Sequence, residues 1–235
     1  MQSLVTAFKY LTIWGRLPAR ESDPRAIGNA AAYFPLVGLV IGALLASINF
    51  LLAVQLDSEI LSILLIMLWL IVTGAIHLEG TKKTFDAIGP STLRASPRAN
   101  EFFGLVAILF VILFKVHAVD VLDEKLFASI LLAPAFARWA LVVFVYGYHD
   151  RCETTPRLIA ENVKLWHLLV TTLATLALAT YLLGRKGLWI GLSLSVFALL
   201  TRTLLHRRHA VLTHDNFGAA IELSETLSLV LLATL

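Results

Sequence analysis

Long runs of apolar residues limit what this chain can fold into. Several of these runs approach the roughly 20 residues that an α-helix needs to cross a bilayer core of about 30 Å. Hydrophobic residues make up 58% of the 235 residues and charged residues only 15%, whereas soluble domains average about 45–50% and about 25%. A soluble core of this size could not bury so much apolar surface. Backbone groups inside a bilayer must also be satisfied within helices. The sequence therefore predicts an all-α, polytopic integral membrane helix bundle.

The apolar runs predict about seven transmembrane helices in a single membrane domain over residues 1–235. The predicted spans cover residues 34–54, 61–76, 104–120, 127–146, 166–183, 188–205 and 218–235. The second and seventh runs are short, and the third contains Lys115 and His117. Each of these three spans is therefore open to tilting, breaking or re-entry.

Residues 1–30 are predicted to form an N-terminal interfacial segment. An amphipathic helix in this segment would direct Phe8, Leu11 and Trp14 toward the lipid and Lys9 toward the headgroups. No small-residue cleavage pattern follows it, so a signal peptide is not indicated.

The distribution of basic residues predicts the orientation. The loops on one side of the predicted bundle carry fourteen lysines and arginines, and the loops on the other side carry three. Because the cytoplasmic side is enriched in these residues, the first set of loops is predicted to be cytoplasmic. The net charge of +3 arises mostly from these residues. They favour anionic lipid or an anionic substrate, and nothing in the pattern indicates a nucleic-acid module.

A polar segment with two acidic residues follows the second predicted span. In a helix, Glu79 and Asp86 lie two turns apart on one face, with Lys83 between them. Two carboxylates on one face are able to share Mg²⁺, which usually also binds substrate phosphates. The alternative is a solvated chain of salt bridges from Glu79 through Lys83 to Asp86. His77 lies at the membrane boundary, where it is either a hydrogen-bonded interfacial residue or a catalytic one.

A second polar segment precedes the last predicted span. Arg207 and Arg208 are able to bind phosphate, although positive-inside topology also explains them. Asp215 could hold the cation that accompanies a phosphate.

Four charged residues stand inside apolar runs. Glu222 and Glu225 lie on one face of the last span, and Lys115 and Arg138 are their natural partners. Charges buried in a membrane usually face the bundle interior, form pairs or mark a functional site. This cluster alone is compatible with an enzyme and with a transporter.

Several motifs resemble one enzyme family. They are FPLVG at 34–38, TGAIHLEGTKKTFDA at 73–87, THDNFGAAIELSE at 213–225 and the N-terminal YLTIWGRLP at 10–18. Their order and spacing, and the length of the chain, resemble those of the cobamide synthase family of adenosylcobinamide-GDP ribazoletransferases over nearly the whole sequence.

This resemblance implies a magnesium-dependent transfer at the cytoplasmic face of a bacterial or archaeal inner membrane. Family members join adenosylcobinamide-GDP to α-ribazole or its 5′-phosphate and release GMP, a late step of cobalamin biosynthesis. The resemblance implies Glu79, Asp86 and Asp215 as ligands of Mg²⁺, and His77, Asp86 and Asp215 as catalytic residues. Arg207 and Arg208 would bind the substrate phosphates.

The acidic motif of this chain departs from the family pattern. His77, Gly80 and Asp86 match it, and Glu79 stands at the first aspartate, but Lys83 replaces the second aspartate. Two alternatives to the standard reaction follow. One is a divergent member that binds corrinoid without catalysis, and the other is a small transporter that uses the buried charges. Whether the chain forms a homo-oligomer is left open.

Overall fold

The computed structural model describes residues 2–16, 23–89, 97–122, 125–148, 152–208 and 211–235. These residues form eleven α-helices and no strand longer than the isolated bridge between Cys152 and Leu212. The helices are α1 (Gln2–Leu11), α2 (Pro24–Asn29), α3 (Phe34–Leu52), α4 (Ser58–Thr73), α5 (Ile76–Ile88), α6 (Pro97–Asp120), α7 (Leu126–Val145), α8 (Thr154–Asn162), α9 (Leu165–Leu183), α10 (Arg185–Arg208) and α11 (His214–Thr234). The all-α prediction is confirmed.

The described part of the chain is a multi-pass membrane helix bundle. Six of its helices are each long and apolar enough to cross a bilayer, namely those that contain α3, α6, α7, α9, α10 and α11. The pair α4 and α5 passes the same test together, but the two helices meet at an angle of 89°. The seven predicted runs therefore fall on these six helices and on α4. The second run is broken, which is one of the outcomes that its short length left open.

The bend between α4 and α5 is produced by two left-handed residues. Gly74 ends α4 with a φ of 63°, and Ala75 follows with a φ of 52°. The Ala75 N–H donates to the Leu70 carbonyl at 2.9 Å, so the last turn of α4 remains satisfied. Glycine adopts a left-handed backbone without a steric penalty, but alanine does so at a cost. The neighbouring helices must therefore hold Ala75 in place, and the result is that α5 turns away from the direction of α4.

Helix α7 lies at the centre of the bundle, and about 83% of its span is buried inside the protein. Among the described helices it packs most extensively on α3. There Gly38 and Gly42 face the α7 backbone so closely that a Cβ at either position would clash. Small residues allow such close approach between membrane helices, where dispersion and packing drive association.

The N-terminal segment packs against the protein. Leu11 is fully buried, whereas Trp14 remains 58% exposed. The prediction that Leu11 faces lipid is wrong, because α1 packs on α2 and α3 and turns that face inward. Residues 17–22 of the predicted interfacial segment lie outside the described residues.

Candidate functional site

Helices α5 and α11 pack backbone to backbone. A Cβ on Gly80 would stand 2.6 Å from the Asp215 carbonyl oxygen, and a Cβ on Gly218 would stand 3.3 Å from the His77 Cα. Side chains at these two positions would separate the helices. The glycines of the two sequence motifs therefore bring the polar residues of one helix within reach of those of the other.

The start of α11 is held by its own cap and by α5. The Thr213 N–H donates to Asn216 Oδ1 at 2.8 Å, which completes a capping box at the start of the helix. Asn216 Nδ2 donates to Thr84 Oγ1 at 3.0 Å, and both side chains are buried. Because one residue caps α11 and also bonds to α5, the two helices are oriented together.

A cavity of about 190 Å³ opens between these helices. Three residues that the sequence predicted for the site line it, namely His77, Glu79 and Asp215. The other lining residues are Tyr10, Ile76, Gly80, Lys83, His214, Gly218 and Ile221. The tertiary structure therefore brings together residues that are more than 130 positions apart in the chain.

An ammonium group lies between the two carboxylates of the cavity. Lys83 Nζ is 3.0 Å from Glu79 Oε1 on its own helix and 3.6 Å from Asp215 Oδ1 on α11. All three side chains are accessible, with exposed fractions of 53% for Lys83, 49% for Glu79 and 36% for Asp215. An incoming anion is therefore able to reach the ammonium group.

His77 lies against the buried side of the cavity. The residue is 3% exposed, and its Nε2 atom is buried with no hydrogen-bond partner among the described residues. A buried polar atom without a partner is costly. The Nε2 atom therefore favours a bound molecule that forms a hydrogen bond with it.

Two aromatic rings at the cavity were missed by the sequence reasoning. The Tyr10 ring stacks on Phe34 and meets the His214 ring edge-on, with centroids 5.8 Å and 5.6 Å apart respectively. Burial raises the pKa of Tyr10, so its hydroxyl stays protonated. The only signal in the sequence was that Tyr10 and His214 belong to the family-like motifs, at opposite ends of the chain.

Asp86 is not among the residues that line the cavity. Its carboxylate accepts from Lys82 Nζ at 2.8 Å and from the Gly104 N–H at 2.7 Å. Of the alternative chain of salt bridges, the pair of Glu79 with Lys83 is confirmed. The pair of Lys83 with Asp86 is wrong, because Asp86 pairs with Lys82, four residues before it on the helix. In this position the carboxylate ties α5 to α6.

Arg207 and Arg208 are exposed at the end of α10 and are not among the residues that line the cavity. Two residues outside the described part, His209 and Ala210, separate them from the residues that lead into α11. The structure therefore leaves these predicted site residues outside the cavity lining.

The four buried charges form one network between α6, α7 and α11. Lys115 forms ion pairs with Glu222 and Glu225, and Arg138 pairs with Glu225. Trp69 donates from Nε1 to Glu225 at 3.2 Å, and Lys115 lies over its ring at 4.9 Å from the centroid. Two positive and two negative side chains balance each other, all of them almost fully buried.

The cavity fits a divalent cation only in combination with a substrate. Within the described ranges, no group of three or more histidine, cysteine or acidic side chains is placed to hold a metal ion. The cavity supplies two carboxylates, Glu79 and Asp215. Mg²⁺ is commonly held by one or two carboxylates together with substrate phosphates and water. These two residues therefore suit an Mg²⁺ ion whose coordination is completed by a phosphate-bearing substrate.

The fold and the cavity together define a class of protein. It is a multi-pass membrane protein that presents carboxylates, an ammonium group and a buried imidazole to a small cavity at one end of its helix bundle. The model of the cobalamin-5-phosphate synthase family matches residues 3–233. The chain belongs to this family.

Relatives of similar length support the assignment. The adenosylcobinamide-GDP ribazoletransferase of Stutzerimonas stutzeri is 32% identical over 99% of this chain and 98% of its own. That of Pseudomonas putida is 35% identical over 86% of each chain. That of Geotalea daltonii is 28% identical over 92% of this chain and 89% of its own. No solved structure matches the chain.

Proposed function

We propose that this chain is an adenosylcobinamide-GDP ribazoletransferase, a transferase of the phosphotransfer class in cobalamin biosynthesis. Its substrates would be adenosylcobinamide-GDP and α-ribazole or α-ribazole 5′-phosphate. The family match over residues 3–233 and the names of its relatives support this activity. The observation that carries the proposal is the cavity in which α5 and α11 bring His77, Glu79 and Asp215 together.

In this reaction a hydroxyl oxygen of the ribazole attacks the phosphorus atom that carries the cobinamide. A new P–O bond forms, the bond to the bridging oxygen of the diphosphate breaks, and GMP leaves with that oxygen. The hydroxyl proton needs an acceptor. His77 Nε2 is the buried group of the cavity with no partner among the described residues, so we assign it this role.

The volume of the cavity limits which part of the substrate it holds. About 190 Å³ is smaller than the roughly 300–1,000 Å³ of pockets that enclose drug-sized ligands. The cavity would therefore receive the diphosphate and the attacking hydroxyl, and the corrin ring would lie outside it. Arg207 and Arg208 do not line the cavity, so the phosphate that they would contact is one that lies outside it, such as the 5′-phosphate of α-ribazole 5′-phosphate.

Glu79 and Asp215 would hold Mg²⁺ together with the diphosphate. The ion would offset negative charge as the leaving GMP separates. Asp86 would support this arrangement by fixing α5 against α6 through Gly104.

The site would lie at the cytoplasmic face of the inner membrane of a bacterial cell. The bias of lysine and arginine toward the loops at the cavity end supports this orientation. Two single-cysteine variants in a Cys152→Ser background, Arg208→Cys and Lys186→Cys, would test it with a membrane-impermeant maleimide. In intact cells the reagent should label position 186 and spare position 208. The opposite labelling would reverse the orientation.

The direct test of the activity uses the purified protein in lipid nanodiscs. Adenosylcobinamide-GDP, α-ribazole and Mg²⁺ should give adenosylcobalamin and GMP, detected by mass spectrometry. Asp215→Asn, which keeps the size of the side chain, should abolish the product. Absence of product from the unmodified protein with each of Mg²⁺, Mn²⁺ and Co²⁺ would reject the proposed function. Corrinoid binding without turnover would then favour the non-catalytic alternative.

A further inference from the structure

Lys83 forms ion pairs with carboxylates on both helices that line the cavity. Its ammonium group lies between a carboxylate of α5 and a carboxylate of α11, at 3.0 Å and 3.6 Å. A cation at this point offsets the repulsion between Glu79 and Asp215. An ammonium group between two carboxylates occupies the kind of position in which oxygen ligands gather a divalent ion.

The neighbouring lysine does not share this arrangement. Lys82 extends to Asp86, which lies outside the set of lining residues. Among the described residues that line the cavity, Lys83 is the one lysine or arginine. The positive charge that meets an incoming anion within the cavity is therefore supplied by this side chain.

The charge of the cavity depends strongly on this position. Glu79 and Asp215 carry two negative charges, and the Lys83 ammonium cancels one of them. A neutral residue at position 83 would leave both negative charges, and an acidic residue would add a third. Since a diphosphate diester is itself an anion, the two carboxylates alone would repel it. Lys83 reduces this repulsion and also offers three N–H donors.

We propose that Lys83 is a built-in cation of this site. Its ammonium group takes the place of one divalent ion between Glu79 and Asp215 and binds the diphosphate of the incoming substrate. The site then holds a divalent ion only when the bound substrate completes its ligands. The role in substrate binding rests on the proposed function, whereas the exclusion of a resident divalent ion does not.

The experiment measures Mn²⁺ binding to the purified full-length chain without substrate, from the loss of the free-ion signal in electron paramagnetic resonance. The unmodified protein should bind Mn²⁺ weakly. Lys83→Asp should bind it at least about tenfold more tightly, because a third carboxylate replaces the ammonium group. The double variant Lys83→Asp/Asp215→Asn should lose this gain. Lys186→Asp makes the same charge change at an exposed position away from the cavity and should leave binding unchanged.

Lys83→Met keeps the proposal testable if the acidic variant does not fold. It removes the charge with little change in volume, so Mn²⁺ affinity should lie between those of the unmodified protein and Lys83→Asp. In the ribazoletransferase assay, KM for adenosylcobinamide-GDP should rise about 10- to 100-fold, the usual effect of losing a hydrogen bond to a charged group. Lys186→Met, which removes a charge at an exposed position away from the cavity, should leave KM close to that of the unmodified protein.

The outcomes separate the two proposals. If the unmodified protein binds Mn²⁺ as tightly as Lys83→Asp and Lys83→Met, Lys83 does not occupy a cation position and the inference is overturned, whatever the catalytic result. If both variants gain Mn²⁺ binding but no protein turns over, the proposed function fails and the position of Lys83 as a cation substitute stands. Turnover with an unchanged KM in Lys83→Met would remove its role in binding the diphosphate.

Discussion

Asn216 Nδ2 donates a buried hydrogen bond of 3.0 Å to Thr84 Oγ1 and thereby joins the two helices that carry the site. The same Asn216 side chain accepts from the Thr213 N–H at the start of α11. One side chain therefore sets both where α11 begins and how it is rotated against α5. The positions of Asp215 and His77 relative to each other depend on this contact.

Asn216→Ala is expected to destabilise the protein by about 2 kcal/mol, since it removes a helix cap and leaves the Thr84 hydroxyl without its donor. Thermal unfolding in detergent would measure the change. Thr84→Val removes the interhelical bond but keeps the cap, so its effect should be smaller. Equal effects of the two variants would show that the cap contributes nothing.

His77→Gln is expected to lower kcat of the ribazoletransferase reaction about 10²- to 10⁴-fold, the usual contribution of a general base. Glutamine still fills much of the space and offers a hydrogen bond, but it does not accept a proton. The melting temperature should stay close to that of the unmodified protein. Retention of full activity in this variant would exclude proton transfer by His77.

Asp86→Asn is expected to affect mainly the stability of the protein, and Asp215→Asn mainly its turnover. Asp86 bonds to Lys82 and to the Gly104 N–H. Its variant should therefore lower the free energy of unfolding by about 1–3 kcal/mol and retain measurable turnover. Asp215→Asn should lose turnover with little change in unfolding. Loss of all activity in Asp86→Asn without a change in stability would instead assign Asp86 to the reaction.

Lys115→Met is expected to destabilise the bundle by about 3–5 kcal/mol, because Glu222 and Glu225 would be left with too little positive charge in a buried site. Lys115→Met/Glu222→Gln restores the balance of charge and should recover part of the loss. Thermal unfolding in nanodiscs would compare the two. No recovery in the double variant would contradict the view that charge balance holds this network.

Gly80→Ala is expected to destabilise the contact between α5 and α11 by about 1–3 kcal/mol and to reduce turnover, since the added Cβ would stand 2.6 Å from the Asp215 carbonyl oxygen. In an isolated helix alanine is more favourable than glycine. A loss of stability would therefore report the interhelical contact. A gain in stability would show that the two helices separate to accept the methyl group.

The sequence alone determined that the chain is a membrane helix bundle, because apolar runs of sufficient length have few other stable structures. The buried charges were also visible in the sequence, since a charged residue in an apolar run needs a partner. The pairing of these charges could not be predicted from the sequence, because several pairings of Lys115 and Arg138 with the two glutamates satisfy the same charges. Trp69 was missed for a similar reason, since an apolar helix gives no indication of which indole N–H meets a carboxylate.

The tertiary structure decided the composition of the site. Spacing along α5 placed Glu79, Lys83 and Asp86 on one face, but a helix face is wide enough for neighbouring side chains to turn in different directions. Lys83 joins Glu79 and Asp215, whereas Asp86 turns to Lys82 and Gly104. Tyr10 reaches the cavity only because α1 folds back onto the bundle. Contacts of this kind depend on how distant helices pack, which periodicity and spacing do not encode.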